Sequence, residues 1–228
     1  MTLAAKDVAQ YLKDHPEFFT QYADVLAQIT FPDPHGGRAV SITERQIVTL
    51  RDQIRRLENK LAELIRFGEE NDALSGKAHR LDVALAGAAD VGSVLRVLYA
   101  HLGGDFAVPH VAVRLWDVAG DAAAPEFTPM SAAAHEFAAA LKRPYCGAGG
   151  GPDVLGWFGE RGSHVRSLAL VTLRRGSETV GVVPPTSTTF GLLALGSEEP
   201  QRFYPEMGTL YLERIGEVAA AAFDRTLS

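Results

Sequence analysis

Residues 165–173 read Val-Arg-Ser-Leu-Ala-Leu-Val-Thr-Leu, and residues 190–195 read Phe-Gly-Leu-Leu-Ala-Leu. Both runs are short and almost continuously apolar, which is typical of strands that are covered on both faces. The sequence therefore predicts two strands at the centre of a sheet. Residues 175–187, which include Pro184-Pro185 and several Ser and Thr residues, are more than a hairpin turn requires and predict a loop.

A third strand and several helices surround this central pair. Residues 110–117 alternate, with Val111, Val113 and Leu115 on one face, as a half-buried strand does. The other predicted elements are helices at 91–102, 131–141 and from Pro205 onward, a short helix at 154–158, a short strand at 145–146 and an edge strand at 125–129. This order predicts an α+β fold, in which an antiparallel sheet has helices on both faces.

The strongest periodic pattern in the chain lies between residues 44 and 66. Large aliphatic side chains alternate at spacings of three and four residues, which is the heptad repeat of a coiled coil. The predicted seam consists of Ile47, Leu50, Ile54, Leu57, Leu61 and Leu64. Isoleucine at position a with leucine at position d favours two parallel strands, so we expect a parallel homodimer. An amphipathic helix that folds against its own domain is the alternative.

The helix that carries the heptads is expected to begin at a capping box, Ser41-Ile42-Thr43-Glu44, and to continue to about residue 90. Gly68 and Asn71 interrupt the repeat, because glycine fills no hole in a partner helix and asparagine is polar. Apolar spacing then resumes, displaced by one position, at Leu74, Ala78, Leu81, Leu85 and Ala88. The displacement indicates that the buried face of the helix rotates.

A shorter helical unit precedes the long helix. Pro16 disfavours the α conformation at His15, so a first helix should end there, and a second, aromatic-rich helix should run to Ile29. Prolines and glycines in 31–37 predict a loop. We expect this unit to pack on its own long helix, and a docking module is the alternative. The predicted organisation is a helical pair at 1–37, a long dimerising helix at 41–90 and an α+β domain at 91–228.

Charge and composition exclude several partners. The chain of 228 residues has a net charge of −6, which argues against broad binding to nucleic acid or to anionic membranes. The basic residues between 38 and 66 are interleaved with acidic ones, as on a solvated helix surface. No apolar run has the length of a membrane span, no signal-peptide pattern opens the chain, and the single cysteine, Cys146, suits a reducing compartment. We expect a cytoplasmic protein.

Patterns of catalysis and metal binding are missing from the sequence. Its seven histidines lie on different predicted elements, without the spacing of metal ligands. No Gly-x-Ser-x-Gly elbow occurs, and the glycine-rich residues 147–151 lack the Lys-Ser/Thr pair of a phosphate loop. We therefore expect no catalytic residues, no metal and no cofactor. An enzyme with an unrecognised site is the least favoured alternative.

Seven motifs occur in order over nearly the whole chain. They are His15–Phe19, Val40–Gln46, Asn71-Asp72, Tyr145-Cys146-Gly147, Ser167–Ala169, Gly191–Ser197 and Met207–Thr209. Together they resemble the recurrent motifs of the bacterial family catalogued as domain of unknown function 484. The predicted α+β part is also similar to GAF and PAS sensor modules. The resemblance therefore implies a fold and a sensing type of role, but it implies no particular reaction.

The GAF resemblance implies a ligand site between the sheet and the helices on one face. The residues implied as its lining are Tyr145, Cys146, Trp157, Phe158, Arg166 and His135. Ordinary core packing without a ligand is the alternative for these side chains. The implied function is a non-catalytic regulatory or adaptor protein, dimeric through its long helix, with an unidentified small molecule or protein as partner. A structural interaction module that binds no ligand is the alternative.

Overall fold

The computed structural model describes residues 4–28, 30–31, 40–118, 120–121, 123–151, 153–176 and 188–227, with side chains for all of these except 26–31 and 40–44. The side chains of the capping box expected at 41–44 lie outside this description, as do most residues of the loops expected over 31–37 and 175–187. The chain divides into two compact units, residues 1–70 and residues 71–228.

Three short helices open the first unit. They are α1 (Ala5–Asp14), α2 (Glu17–Gln21) and α3 (Ala23–Gln28). The first helix ends at His15, before Pro16, as predicted. The single helix expected up to Ile29 is wrong, because Tyr22 has φ −123° and ψ 44° and so leaves the helical region. Two-residue strands follow, β1 (Thr30–Phe31) and β2 (Val40–Ser41), and they pair antiparallel.

A helix of 45 residues, α4 (Ile42–Ala86), comes next, and the division between the two units falls within it. The six seam side chains are between 43% and 66% exposed in the single chain. Farther along the helix Ala78, Leu81 and Leu85 are buried. The predicted return of a buried face is thus confirmed for these three, whereas Leu74 stays 37% exposed.

The second unit is built on a four-stranded antiparallel sheet with the strand order β3-β6-β5-β4. Its strands are β3 (His110–Leu115), β4 (Tyr145–Gly147), β5 (Ser167–Arg175) and β6 (Thr188–Ser197). The two apolar runs of the sequence form β5 and β6, which pair with each other at the centre, as predicted. Val171 lies opposite Leu193 in this pairing, and both are buried.

The edge strand expected at 125–129 is wrong. Pro125–Phe127 forms a turn of 3-10 helix, closed by hydrogen bonds from Phe127 N–H to the Ala124 carbonyl (3.1 Å) and from Thr128 N–H to the Pro125 carbonyl (3.2 Å). Proline has no N–H to donate to a neighbouring strand. The side chain of Phe127 packs against the core, so its apolar character reflects packing.

Helices cover both faces of the sheet. On one face, called here the α7 face, α5 (Val91–Gly103) and α7 (Leu210–Leu227) pack with Leu81 and Leu85 of α4 against the sheet. On the other, the α6 face, α6 (Ala132–Ala140) and a 3-10 segment (Val154–His164) contribute Ala138 and Val154 to a second cluster. Neighbouring strand residues alternate between the two clusters, as the period of a strand requires. The α+β arrangement is therefore confirmed.

The last helix begins at Leu210 and not at Pro205. Thr209 precedes it, accepts a hydrogen bond from Glu213 N–H at its carbonyl (2.9 Å) and donates its hydroxyl to the Glu213 carboxylate (2.7 Å). These two bonds close the first turn and fix where the helix starts.

Polar contacts connect α7 to the C-terminal part of α4. They are Tyr211 hydroxyl to Asn71 Oδ1 (3.0 Å), Arg214 to Asp82 (2.6 Å), and Arg225 to the carbonyls of Leu85, Ala86 and Ala88 (3.0, 2.9 and 2.7 Å). The last group satisfies carbonyls at the C-terminus of α4 and just beyond it, where the helix provides no N–H to bond them. Asn71, which weakens the predicted heptad, has Tyr211 as its own partner.

Candidate functional site

The structure distributes the six predicted lining residues over two faces and the surface. Tyr145, Trp157 and Phe158 pack in the cluster on the α6 face. His135 reaches the same face, where its ring lies 4.9 Å from that of Trp116. Cys146 belongs to the cluster on the α7 face, because it follows Tyr145 in a strand. Arg166 is exposed, and its backbone N–H donates to the Ser197 carbonyl (2.7 Å).

Local structure holds the aromatic rings of the α6 face in place. Ser131 caps α6 by accepting a hydrogen bond from Ala134 N–H (3.2 Å), which sets His135 on the first turn of the helix. The indole N–H of Trp116 donates to the Thr189 carbonyl (3.0 Å). Both tryptophans of the chain, Trp116 and Trp157, therefore lie on this one face.

Strand β3 and Trp116, which directly follows it, present a row of large or polar side chains to the layer that covers the α6 face. Three of them each meet one ring: His110 meets Phe158 at 5.8 Å between ring centres, the guanidinium carbon of Arg114 lies 5.1 Å from the ring centre of Trp157, and Trp116 meets His135. The row lies on an edge strand, since β3 pairs only with β6 in the described sheet.

Arg114 is a buried cation on this face. It is 9% exposed, and its Nη1 donates to the Val113 carbonyl (3.0 Å). Within the described ranges, no carboxylate comes within 4.0 Å of its guanidinium. Burial lowers the pKa of Arg114 in spite of the attraction of Tyr99 and Glu126. Glu126 already accepts a hydrogen bond from the Tyr99 hydroxyl (2.7 Å).

His110 is a second buried polar residue on the same strand. It is 7% exposed, and its Nε2 is occluded and without a hydrogen bond among the residues described. A carboxylate oxygen of Glu198 lies 3.6 Å from this nitrogen. Gly196 lies opposite it, where a Cβ would sit 3.2 Å from His110 Cβ and 3.3 Å from the Phe158 ring. Close packing therefore holds His110, and the glycine makes that approach possible.

Cys146 is the single thiol of the chain and is 7% exposed. Burial raises its pKa to about 11, so it stays protonated at neutral pH. A protonated, buried thiol is a poor nucleophile. The chemistry of Cys146 is that of a small core side chain.

A histidine–carboxylate pair lies away from the sheet, at the C-terminal end of α5. His101 Nδ1 is 2.7 Å from Asp105 Oδ2, and Arg80 of α4 lies 3.5 Å from the other carboxylate oxygen. The hydrogen bond from His101, and then that from Arg80, lower the pKa of Asp105. In the part of the chain that the structure describes, no group of three or more His, Cys, Asp or Glu side chains could hold a metal ion. Through the contact of Asp105 with Arg80, the pair connects the C-terminal end of α5 to α4.

Sequence reasoning missed Arg114. The alternation of residues 110–117 puts Arg114, with Ala112 and Trp116, on the face opposite Val111, Val113 and Leu115, and the pattern assigns it no role. The available signal was a full charge in the middle of an otherwise apolar strand, because such a charge is buried only with a partner or for a function.

Fold and site define a mixed helix-and-sheet protein with a long helix and a four-stranded antiparallel sheet, and the α6 face of this sheet contains a buried cation. No helix among the described residues is long and apolar enough to cross a membrane. The profile of one family, described as a protein of unknown function, DUF484, matches residues 1–228, the whole chain. The chain therefore belongs to the DUF484 family. No curated protein matches it.

Proposed function

We propose that this protein is a non-catalytic regulatory or adaptor protein, dimeric through α4, whose second unit is a GAF-like domain that senses a small ligand. One observation carries the proposal. The same helix exposes six large aliphatic side chains at heptad positions and, later in its length, contributes Leu81 and Leu85 to the core of the sheet domain.

The heptad positions favour a second copy of this chain as the partner. In a parallel, in-register pair Ile47 and Ile54 would meet their own copies at a, and leucines would meet leucines at d. The charges at e and g form few complementary pairs, so they offer little to select a different helix. A contiguous stripe of this size is unusual on a monomer in water.

A sensing role for the second unit is supported by the arrangement of its elements and by the polar row of β3 on the α6 face. We also propose a cytoplasmic location, which suits the single, buried thiol of Cys146. A structural interaction module that binds no ligand remains the second candidate, favoured by the close packing around Gly196 and His110.

Two measurements on the full chain test the proposal. Light scattering at tens of micromolar protein should give the mass of a dimer, and a monomer would contradict the dimeric adaptor. Thermal unfolding should then be followed with nucleotides, amino acids and haem, because a ligand that binds only the folded state raises the apparent stability. A dimer that no compound stabilises would favour the interaction module.

A further inference from the structure

Arg114 has more hydrogen-bond donors than its surroundings satisfy. A guanidinium carries five N–H groups on three nitrogens, and only Nη1 finds an acceptor among the described residues. The opposite edge, formed by Nε and Nη2, is the edge that can pair with two oxygens of a carboxylate or a phosphate. That edge is open.

The open edge is within reach of solvent. In the described chain, the polar side-chain atoms that are both fully occluded and unpaired are Asp82 Oδ1 and His110 Nε2. Nε and Nη2 of Arg114 are not among them, so they keep some contact with solvent although the residue is 9% exposed. The edge is therefore in contact with solvent in the folded sheet domain.

Other arginines of the same sheet are matched. Arg174 donates to Thr172 Oγ1 and to carbonyls at the end of α6, and Arg175 pairs with Asp224 at 2.7 Å. Arg114 is more buried than either of them and has one backbone carbonyl and the face of Trp157. Glu126 attracts Arg114 without a direct contact. Since a buried charge is costly unless it is paired, a directly hydrogen-bonded anion is the group that this position lacks.

We propose that Arg114 anchors a binding site on the α6 face for a small ligand that carries an oxyanion group, a carboxylate or a phosphate. The ligand oxygens would accept hydrogen bonds from Nε and Nη2, while Trp157 keeps the guanidinium plane fixed from one side. The inference rests on the sensing role proposed above and assigns the chemistry of the ligand.

The two tryptophans provide the readout, because both lie on the α6 face. The full chain is titrated with inorganic phosphate and, separately, with succinate, against sodium chloride at matched ionic strength. We expect a saturable change in tryptophan emission with one of these oxyanions, and which of them acts distinguishes a phosphate from a carboxylate ligand. A response equal to that of chloride for both would overturn the site.

Two variants assign the response to Arg114. Arg114→Lys keeps the positive charge but loses the paired Nε and Nη2 donors, so it should bind the oxyanion about 10- to 100-fold more weakly. Arg114→Met should not bind the oxyanion. Arg161→Gln, at an exposed arginine of the 3-10 segment, is the matched control and should titrate like the wild type. Wild-type affinity in Arg114→Met would overturn the inference.

Stability separates a ligand site from a purely structural role. If Arg114 serves a ligand, Arg114→Met removes an unpaired buried cation and should leave the thermal midpoint without ligand unchanged or higher. If the residue serves only the fold, the midpoint should fall, and that result would overturn the inference. If neither phosphate nor succinate gave a specific response while a neutral compound stabilised the wild type and Arg114→Met equally, the proposed function would stand and the oxyanion site would be excluded.

Discussion

At the scale of single residues, burial decides the reactivity of Cys146. Because its pKa is raised to about 11, native protein at pH 8 should react slowly with a thiol reagent, and denatured protein should react at the rate of a free cysteine. The raised pKa also fixes how the free energy of unfolding depends on pH. Any stability that the neutral thiol contributes is complete below about pH 9 and is lost as the pH rises toward 11. Equal labelling rates in the two states would contradict the buried position.

Arg225 has a different effect, since it stabilises a helix end. Arg225→Ala removes the donors to three carbonyls at the end of α4. Charge-assisted hydrogen bonds to a helix C-terminus are favourable, and the exposure of the arginine reduces their effect, so we expect a loss of about 1–2 kcal/mol in the free energy of unfolding. Urea denaturation measures it, with Arg161→Ala as the exposed control. A loss equal to that of the control would show that the contact contributes nothing.

The adjacent Tyr145 and Cys146 show what the sequence could and could not predict of the site. The alternation of a strand already places neighbours on opposite faces, so their separation follows from the sequence once β4 is recognised. The stacking of Arg114 on Trp157 does not follow, because the 3-10 segment that carries Trp157 is placed by tertiary packing.

At the scale of elements, alanine substitutions at two helical glycines should change the stability of the protein in opposite directions. A Cβ at Gly216 of α7 would lie 2.4 Å from Val171 Cγ1, so this glycine allows the helix to approach β5 closely. Gly216→Ala should therefore destabilise by about 1–3 kcal/mol through overpacking, despite the better helix propensity of alanine.

Gly68 of α4 is the matched control, since a Cβ there meets nothing within 4 Å. Gly68→Ala should stabilise by up to about 1 kcal/mol, from helix propensity alone. Thermal or urea unfolding of both variants checks the pair. A Gly216→Ala variant as stable as the wild type, or more stable, would refute the close approach of α7 to the sheet.

Elements were predictable where one pattern had one explanation. The short, almost continuously apolar runs that form β5 and β6 predict strands covered on both faces. Strands of this kind lie at the centre of a sheet, as these two do. The pattern of residues 125–129 was ambiguous. An apolar residue such as Phe127 can belong to a strand or pack on the core from a turn, and proline is common both at the ends of edge strands and in turns. The break at Tyr22 has no marker in the sequence, since neither glycine nor proline stands there.

At the scale of the whole molecule, Leu57 tests the proposed dimer. Leu57 is 66% exposed in the single chain, so Leu57→Ala would change the stability of a monomer little. In a packed seam the same change should cost about 2–5 kcal/mol per buried site and shift the monomer–dimer equilibrium toward monomer. Light scattering and sedimentation over a range of concentrations measure this. Asn59→Ala, at the outward heptad position f, is the control.

The strand order β3-β6-β5-β4 also has a consequence for how the protein is made. Val113 of β3 pairs with Leu193 of β6, and in the described sheet no other strand pairs with β3. A nascent chain emerging from the ribosome therefore carries β3 without its neighbour until β6 has been translated. The apolar strand β5 also lacks its central partner until then, because that partner is β6. The sheet domain should therefore fold only after β6 has been translated, and a chain interrupted before residue 188 should depend on chaperones to avoid aggregation.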